Sequence, residues 1–387
     1  MDEQKRHRIL YKIIRAIGKP IVCSVFHYRC ESLKDVEGPY LLLANHTTDV
    51  DSAFLGIASP RHTYFVATEN ITRFKFWGKI LLYVFGPIIH YKGMHGIRTT
   101  RQMLRKLKNG CCVAMFPEGN RTFNGVTCPI PPVTGQLARS CGAKLVTYRI
   151  KGGYFMSPRW HKGDRKGKVW GEIAGVYTPE QLKAMSAEEV NMAIERDLFV
   201  DAYEEQKKVR YRYKGQDIAE TLESTLFLCP KCNQIGHLHS QGNRFFCDCG
   251  YEAVYDEYGS LNETGGKVTT VTELDKAQQA YLEQLCKDSA GKVIFSDSIS
   301  EEYINEDHVK VEAKEVELKA YPDAFEMDGE RLSFDDIEAI AISERNTLMI
   351  HKKGVAGHFQ YQGPIFFNAL KYLYVYRVAK GRPDGFL

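Results

Sequence analysis

A histidine and two carboxylates in residues 45–51, NHTTDVD, are the groups in this chain best placed for acid–base chemistry. A carboxylate that accepts a hydrogen bond from one imidazole nitrogen fixes the tautomer and stabilises the imidazolium formed when the other nitrogen takes a proton. On a regular helix Asp49 would lie closer to His46 than Asp51, which falls about 140° around the axis. Asp51 can reach His46 only if the chain turns first. Thr47, Thr48 and Asp49 are good N-cap residues for a helix over residues 52–57, so a turn is plausible there and the spacing leaves both carboxylates open.

A second motif, FPEGNRT at residues 116–122, supplies Glu118 and Arg121. Each motif follows an uninterrupted apolar run, residues 40–44 before the histidine and residues 111–116 before the glutamate. These runs have the length and continuity expected of buried strands in an α/β sheet. Because ligands of such sheets bind at the carboxyl ends of the strands, the two motifs are predicted to meet at one edge and form one candidate site.

The Asn-His-x4-Asp and Phe-Pro-Glu-Gly-x-Arg patterns, in this order and about seventy residues apart, resemble those of the glycerophospholipid acyltransferase superfamily. Its type member makes phosphatidic acid from lysophosphatidic acid. The resemblance implies an α/β fold, a glycerolphosphate acyltransferase-like sheet flanked by helices. It also implies that His46 is the general base that deprotonates an acceptor hydroxyl, that Asp51 orients it, and that the hydroxyl attacks an acyl thioester. Glu118, Gly119 and Arg121 would bind the acceptor and its phosphate.

Lys92 falls on the position of a further family arginine when residues 86–92 are laid on the family's glycine-to-arginine segment. Lysine offers a point charge, whereas arginine offers a bidentate fork, so the phosphate would be held differently. The expected function is therefore transfer of a fatty acyl group from acyl-CoA or acyl-ACP to a lysophosphatidic acid-type acceptor, in phospholipid synthesis. An acyltransferase acting on another lysolipid or on an amino-lipid is the alternative that Lys92 leaves open.

Four cysteines form a second clear signal, C-x2-C followed after fourteen residues by C-x-C: Cys229, Cys232, Cys247 and Cys249. Four thiolates in two close pairs are a ligand set for tetrahedral zinc, and the surrounding sequence resembles a zinc ribbon. Because about thirty residues cannot build a core of their own, the zinc is expected to be structural. A zinc-ribbon nucleic-acid-binding protein is an alternative of a different class, and the acidic residues that follow Arg244 argue against it.

The first segment of the chain carries apolar residues at helical spacing, Leu10, Ile13, Ile14 and Ile17, with basic residues between them. This pattern predicts either an interfacial helix on an anionic membrane or an amphipathic helix packed on its own domain. No apolar segment reaches the roughly 18 residues of a membrane-spanning helix. A charged start and eleven cysteines favour a reducing compartment, so we expect a cytoplasmic enzyme, peripheral on the cytosolic face of a membrane.

A chain of 387 residues is long enough for two or three domains. We expect an acyltransferase domain over residues 1–222, a zinc ribbon over 223–258, a linker or helix over 259–290 and a β-rich domain over 291–387. The last part alternates apolar and polar residues and has a hairpin signal at Asp328-Gly329 before a helical stretch, which loosely resembles a pleckstrin-homology-like barrel.

Overall fold

Two compact units make up the described part of the chain. The first contains the described residues up to 158 together with 165–214, and the second contains 159–164 and the described residues from 215 onward. The computed structural model describes residues 2–68, 71, 75–90, 96–305 and 309–381.

A seven-stranded sheet forms the centre of the first unit, in the order β1-β7-β6-β2-β5-β3-β4. Its strands are β1 (Tyr28–Cys30), β2 (Tyr40–Ala44), β3 (Thr63–Thr68), β4 (Ile88–His90), β5 (Cys112–Met115), β6 (Lys144–Lys151) and β7 (Val169–Tyr177). The five strands from β6 to β4 run parallel, while β7 pairs antiparallel with β6. Strands β2 and β5 are direct neighbours, with Leu43 opposite Met115, so their carboxyl ends open at the same edge, as the two apolar runs predicted.

Helices cover this sheet. They are α1 (Glu3–Val25), α2 (Asp51–Ala58), α3 (Lys75–Phe85), α4 (Ile97–Lys108), α5 (Val133–Ser140), α6 (Gly153–Met156), α7 (Pro179–Ala184), α8 (Ala187–Leu198) and α9 (Ala202–Val209). Helices α7 and α8 both begin with a capping box, made by Thr178 and Ser186, which satisfies otherwise unpaired N–H groups of the first turn. Leu137 of α5 and Ile194 of α8 join the core beneath the central strands.

The second unit begins with a five-stranded antiparallel sheet, in the order β12-β11-β10-β9-β8. Its strands are β8 (Leu238–Gln241), β9 (Arg244–Cys247), β10 (Glu252–Tyr255), β11 (Ser260–Glu263) and β12 (Val268–Thr270). The sheet extends to Thr270, beyond residue 258, at which the sequence predicts the end of the ribbon. Thr270 then caps α10 (Val271–Asp288) through a capping box with Glu273.

The C-terminal part is β-rich, which confirms the prediction. Its seven-stranded antiparallel sheet has the order β16-β15-β14-β13-β19-β18-β17 and is followed by one helix, α11 (Ala369–Ala379). The strands are β13 (Phe295–Ile304), β14 (Lys310–Ala320), β15 (Ala324–Met327), β16 (Glu330–Ser333), β17 (Ile337–Ser343), β18 (Thr347–Lys352) and β19 (His358–Gln362). Asp328 and Gly329 join β15 to β16 with φ of +49° and +86°, the left-handed pair that a tight hairpin requires.

Among the helices in the described part of the chain, none combines the length and apolar character needed to cross a bilayer.

Candidate active site

His46 and Asp51 are in direct contact at the carboxyl end of β2. The Nδ1 atom of His46 lies 2.9 Å from Oδ2 of Asp51, and Asp51 is fully buried as the first residue of α2. The chain turns through residues 47–50 before the helix begins, which is the condition under which Asp51, rather than Asp49, can reach the imidazole. With Nδ1 on a carboxylate, Nε2 is the ring nitrogen left for a substrate.

The carboxylate of Asp51 is held by the two threonines that follow the histidine. The backbone N–H groups of Thr47 and Thr48 donate to Oδ2 at 2.6 and 2.9 Å, and their hydroxyls donate to Oδ1 at 3.1 and 2.7 Å. Donors of this kind stabilise the charged form of a buried carboxylate. The sequence predicts a cap for α2 among Thr47, Thr48 and Asp49, but the N-cap is Val50, which makes no side-chain cap bond. The N–H and O–H groups of both threonines donate to Asp51, and the hydroxyl oxygen of Thr48 also accepts from the N–H of Val50 at 3.2 Å.

Two further contacts fix the position of His46. The ring of Phe116 stacks on the imidazole, with centroids 4.3 Å apart and an angle of 17° between the planes. Asn45 donates to the carbonyl of Ile150 at 2.9 Å and accepts from its N–H at 2.7 Å. These two bonds extend the pairing of β2 with β6 to the residue after β2. They hold the backbone just before His46 against β6, while Phe116 packs on the imidazole ring from the loop after β5.

Glu118 follows β5 and lies buried beside His46, 8% exposed. Its Oε1 accepts from the backbone N–H of His46 at 2.6 Å, and its Oε2 accepts from the backbone N–H of Cys128 at 2.5 Å. Burial raises the pKa of this carboxyl to about 8, against the lowering effect of the two N–H donors. The backbone N–H groups of two loops thus hold both carboxyl oxygens of Glu118. Gly119 forms the turn that follows, with φ of +69°, which glycine adopts without strain.

Arg121 contacts the histidine loop through Asp49. Its Nη1 lies 3.2 Å from Oδ2 of Asp49, and the arginine side chain is 12% exposed against 81% for the aspartate. The structure thus brings His46, Asp51, Glu118, Gly119 and Arg121 together at one sheet edge. Lys92 lies outside the described residues.

A cavity of about 250 Å³, a volume that includes its opening to solvent, borders the histidine and is lined by Thr47, Glu118 and Tyr154 among others. Sites that enclose a drug-sized ligand typically have volumes of about 300–1,000 Å³. This space is too small to enclose a long acyl chain.

Comparison with known proteins gives an independent result. Residues 25–151 match the family model described as Acyltransferase. This part of the chain is an acyltransferase domain. Both motifs of the candidate site lie within it. The computed structure is also similar to the crystal structure of a 1-acyl-sn-glycerophosphate (LPA) acyltransferase, PlsC, from Thermotoga maritima. The identity is 22%, the match covers 51% of this chain and 80% of that chain, and the TM-score is 0.44. No curated protein sequence matches the chain.

Outside the acyltransferase domain, four cysteines form a group that can hold a metal ion. The sulfur atoms of Cys229, Cys232, Cys247 and Cys249 all lie within 4.8 Å of one another. The separations are 3.7 Å for Cys229 and Cys249 and 3.8 Å for Cys232 and Cys247. Four sulfurs placed about 2.3 Å from a tetrahedral zinc are about 3.8 Å apart, so the donor set and its spacing fit this ion.

Sequence reasoning gave Asn45 no role of its own, took Thr47 and Thr48 as candidate caps of α2, and left Asp49 as an alternative partner of the imidazole. All four contact the predicted residues or fix their position. The available signal was local, because polar residues crowded around a histidine at the end of a buried strand must find hydrogen-bond partners. The pairing of Asp49 with Arg121 had no such signal, since their contact is made only by the fold.

Proposed function

We propose that the acyltransferase domain transfers a fatty acyl group from acyl-CoA or acyl-ACP to the free hydroxyl of a lysophosphatidic acid-type acceptor, making phosphatidic acid in phospholipid synthesis. The observation that carries the proposal is the contact of 2.9 Å between His46 and a buried Asp51. Such a pair is the usual means of making imidazole a general base. The match of this part of the chain to the acyltransferase family supports it.

In the proposed reaction, Nε2 of His46 takes the proton of the acceptor hydroxyl as its oxygen attacks the thioester carbonyl. The C–S bond then breaks, the carbonyl re-forms as an ester, and the thiolate that leaves takes the proton from the imidazolium. Asp51 stabilises that imidazolium and keeps the ring in the orientation that presents Nε2. Because the acceptor oxygen is itself the nucleophile, the reaction needs no covalent enzyme intermediate.

Arg121 is proposed to hold the acceptor's phosphate, since a guanidinium binds phosphate oxygens in a bidentate manner. Lys92 is proposed as a second phosphate contact. Glu118 and Gly119 are proposed to shape the acceptor site by fixing the loops on either side of it. A different lysolipid or an amino-lipid remains the alternative acceptor, and assays with several acceptors distinguish the two.

The site is proposed to receive its lipid substrates from an anionic membrane surface, to which the protein binds peripherally on the cytosolic face. On one side, α1 packs on α2, where Tyr11 donates to the carbonyls of Gly56 and Ser59 at 2.9 Å. On the other side it exposes an apolar row: Ile9, Ile13, Ile17, Ile21 and Val25. The packed side agrees with an amphipathic helix on its own domain, and the exposed apolar row supports the proposed membrane contact.

Basic residues accompany this apolar row. At about 100° per residue, the exposed Lys5, Arg8, Lys12 and Lys19 of α1 lie between its apolar and packed sides. Helix α4 exposes a second basic row at spacings of three and four residues: Arg98, Arg101, Arg105 and Lys108. Each lysine or arginine close to an anionic membrane contributes about 1 kcal/mol to binding.

The four-cysteine group is proposed to bind one structural zinc ion through Cys229, Cys232, Cys247 and Cys249. The ion would supply folding free energy and take no part in acyl transfer. Near this group the described sheet carries acidic as well as basic side chains, such as the exposed ion pair of Arg244 with Glu252 at 2.8 Å. This mixed charge does not favour the nucleic-acid-binding alternative.

Purified His46→Asn protein tests the proposed reaction. With long-chain acyl-CoA and vesicles that contain lysophosphatidic acid, we expect phosphatidic acid formation to fall by about 10² to 10⁴, as measured by mass spectrometry of the lipids. His27→Asn is the matched control, because His27 is exposed and lies before β2. An unchanged rate in His46→Asn would defeat the mechanism, while turnover of another lysolipid in preference to lysophosphatidic acid would correct the acceptor.

A further inference from the structure

Asp49 and Asp51 lie two residues apart in one loop but have opposite surroundings. Asp51 is fully buried and accepts from the backbone and hydroxyl groups of Thr47 and Thr48. The side chain of Asp49 is 81% exposed, and its carboxylate lies 3.2 Å from the guanidinium of Arg121. The carboxylate of Asp49 therefore pairs with Arg121, the residue that we propose to bind the acceptor's phosphate.

The two partners of this pair differ in how easily they can move. Arg121 is only 12% exposed, whereas Asp49 reaches into solvent. An exposed carboxylate that leaves its partner regains full hydration, and ion pairs of this type contribute little to stability. When an anion approaches, Asp49 is thus the partner that withdraws, and Arg121 stays in place to receive it.

We propose that Asp49 competes with the acceptor's anionic group for Arg121 and thereby sets the affinity of the acyltransferase domain for charged acceptors. This inference rests on the proposed function, because it assigns the acceptor's phosphate to Arg121. A phosphate monoester carries about −1.5 to −2 charges near neutral pH and displaces the single charge of Asp49. A neutral acceptor has no group for Arg121 and gains nothing from the displacement.

The competition has a consequence for turnover. The product keeps the phosphate of the acceptor, so tight binding by an arginine that has lost Asp49 as a partner would retain the product as well as the substrate. Because the phosphate does not react, Arg121 binds it equally well in the substrate complex and in the transition state, and such binding lowers KM without raising kcat. Asp49 therefore weakens acceptor and product binding together, and its removal should change KM without increasing kcat.

The test compares Asp49→Asn with the wild-type chain, with saturating palmitoyl-CoA and with lysophosphatidic acid or the neutral monoacylglycerol as acceptor. We expect KM for lysophosphatidic acid to fall about two- to fivefold, the factor that corresponds to an exposed ion pair. The kcat should not rise, and the KM for any transfer to monoacylglycerol should be unchanged. Inorganic phosphate should inhibit the variant at a concentration lower by a similar factor.

Two further variants separate competition from other effects. In an Arg121→Gln background, Asp49→Asn should have no effect on KM, because the guanidinium for which Asp49 and the phosphate compete is absent. Glu37→Gln makes the same change of charge at an exposed position before β2, at the opposite end of the strand, and should leave KM as it is.

An unchanged or higher KM in Asp49→Asn overturns the inference, as does an effect that persists without Arg121. If the pair only holds the loop in place, Asp49→Asn lowers kcat and leaves KM unchanged, which also overturns it. Absence of any acyl transfer by the wild-type chain overturns the proposed function and this inference together, whereas transfer with no response to Asp49→Asn overturns this inference alone.

Discussion

Two buried carboxylates serve His46 in different ways. Asp51 contacts the imidazole itself, so it governs which nitrogen is free to take a proton. Glu118 accepts from the backbone N–H of His46 and, with its other oxygen, from that of Cys128. It therefore ties together the loops that follow β2 and β5 and helps to fix the position of the histidine. The family resemblance assigned Glu118 to the acceptor, but its contacts are those of a positioning residue.

The raised pKa of Glu118 predicts a pH dependence of stability. Burial raises it from 4.5 to about 8, so between these values the folded state keeps a proton that the unfolded state has released. The stability that Glu118 contributes is present in full below about pH 4.5 and is lost as the pH rises through about 8. The slope from this group is at most about 1.4 kcal/mol per pH unit.

Urea unfolding between pH 5 and 9 measures this slope. We expect the free energy of unfolding of Glu118→Gln to depend less on pH than that of the wild-type chain, because glutamine does not titrate. Glu188→Gln, at an exposed position in the first turn of α8, serves as control and should retain the wild-type slope. Parallel curves for Glu118→Gln and wild type would show that the carboxyl does not titrate in this range.

Helix α1 has one side that packs on α2 and one side that is exposed. Arg15 donates to the carbonyls of Gly56 and Ile57 at 3.2 and 2.7 Å, and Tyr11 donates to two carbonyls at the same end of α2. These bonds satisfy carbonyls that the end of a helix leaves unpaired. Because α2 begins at Asp51, the side of α1 that packs on the domain also supports the helix that carries the orienting carboxylate.

The exposed side of α1 predicts membrane binding. Replacing Ile13 and Ile17 by glutamine removes apolar surface that a bilayer would bury, and full burial of each side chain contributes about 1.5–3 kcal/mol. We expect the double variant to bind vesicles of phosphatidylcholine with phosphatidylglycerol at least about tenfold more weakly in a flotation assay. Folding should be unaffected, since both side chains are exposed.

Val133 and Met192 provide the matched control, because they are exposed apolar residues on two other helices of the same unit. Their double replacement by glutamine should leave vesicle binding unchanged. Equal binding by the α1 variant and this control would assign membrane contact to another surface. Binding that does not depend on phosphatidylglycerol would remove the role of the basic rows.

Features of the site that follow from neighbouring residues in the sequence could be predicted, and contacts that only the fold creates could not. The strands before His46 and Glu118 were predictable, because continuous apolar runs indicate buried strands and neighbouring strands share an edge. Spacing alone did not decide whether Asp49 or Asp51 contacts the imidazole, although the family resemblance implied Asp51. The turn is held by hydrogen bonds from the N–H groups of Thr47 and Thr48 to Asp51, and residue spacing does not indicate such bonds. The sequence could not indicate that Glu118 contacts backbone N–H groups, because every residue except proline carries such a group.

Helix α10 connects the parts of the second unit. Gln278 accepts from the N–H of Phe227 at 2.9 Å and donates to the carbonyl of Thr225 at 3.0 Å, just before the first cysteine pair. Asp275, one turn earlier, accepts from the hydroxyl of Tyr374 in α11 at 3.0 Å. The cysteine group and the C-terminal sheet's helix are thus joined through two buried residues of one helix.

This connection predicts that loss of the metal weakens more than the ribbon. A structural zinc ion supplies on the order of 10 kcal/mol at neutral pH, more than a small sheet without a large core of its own can replace. We expect Cys232→Ser to lose the one zinc per chain that elemental analysis should find in the wild type. In hydrogen exchange, protection should fall across the ribbon strands and α10, and α11 should follow because Asp275 and Gln278 lose their fixed positions.

Cys286→Ser is the control for this experiment, because Cys286 is a buried cysteine of α10 outside the four-cysteine group. It should keep its zinc and the protection of the ribbon strands, whatever its local cost in packing. If Cys232→Ser keeps one zinc per chain, the four cysteines are not the ligand set. If zinc is lost while α10 and α11 remain as protected as in the wild type, the metal stabilises the ribbon alone, and the hydrogen bonds of Asp275 and Gln278 do not transmit its loss through the second unit.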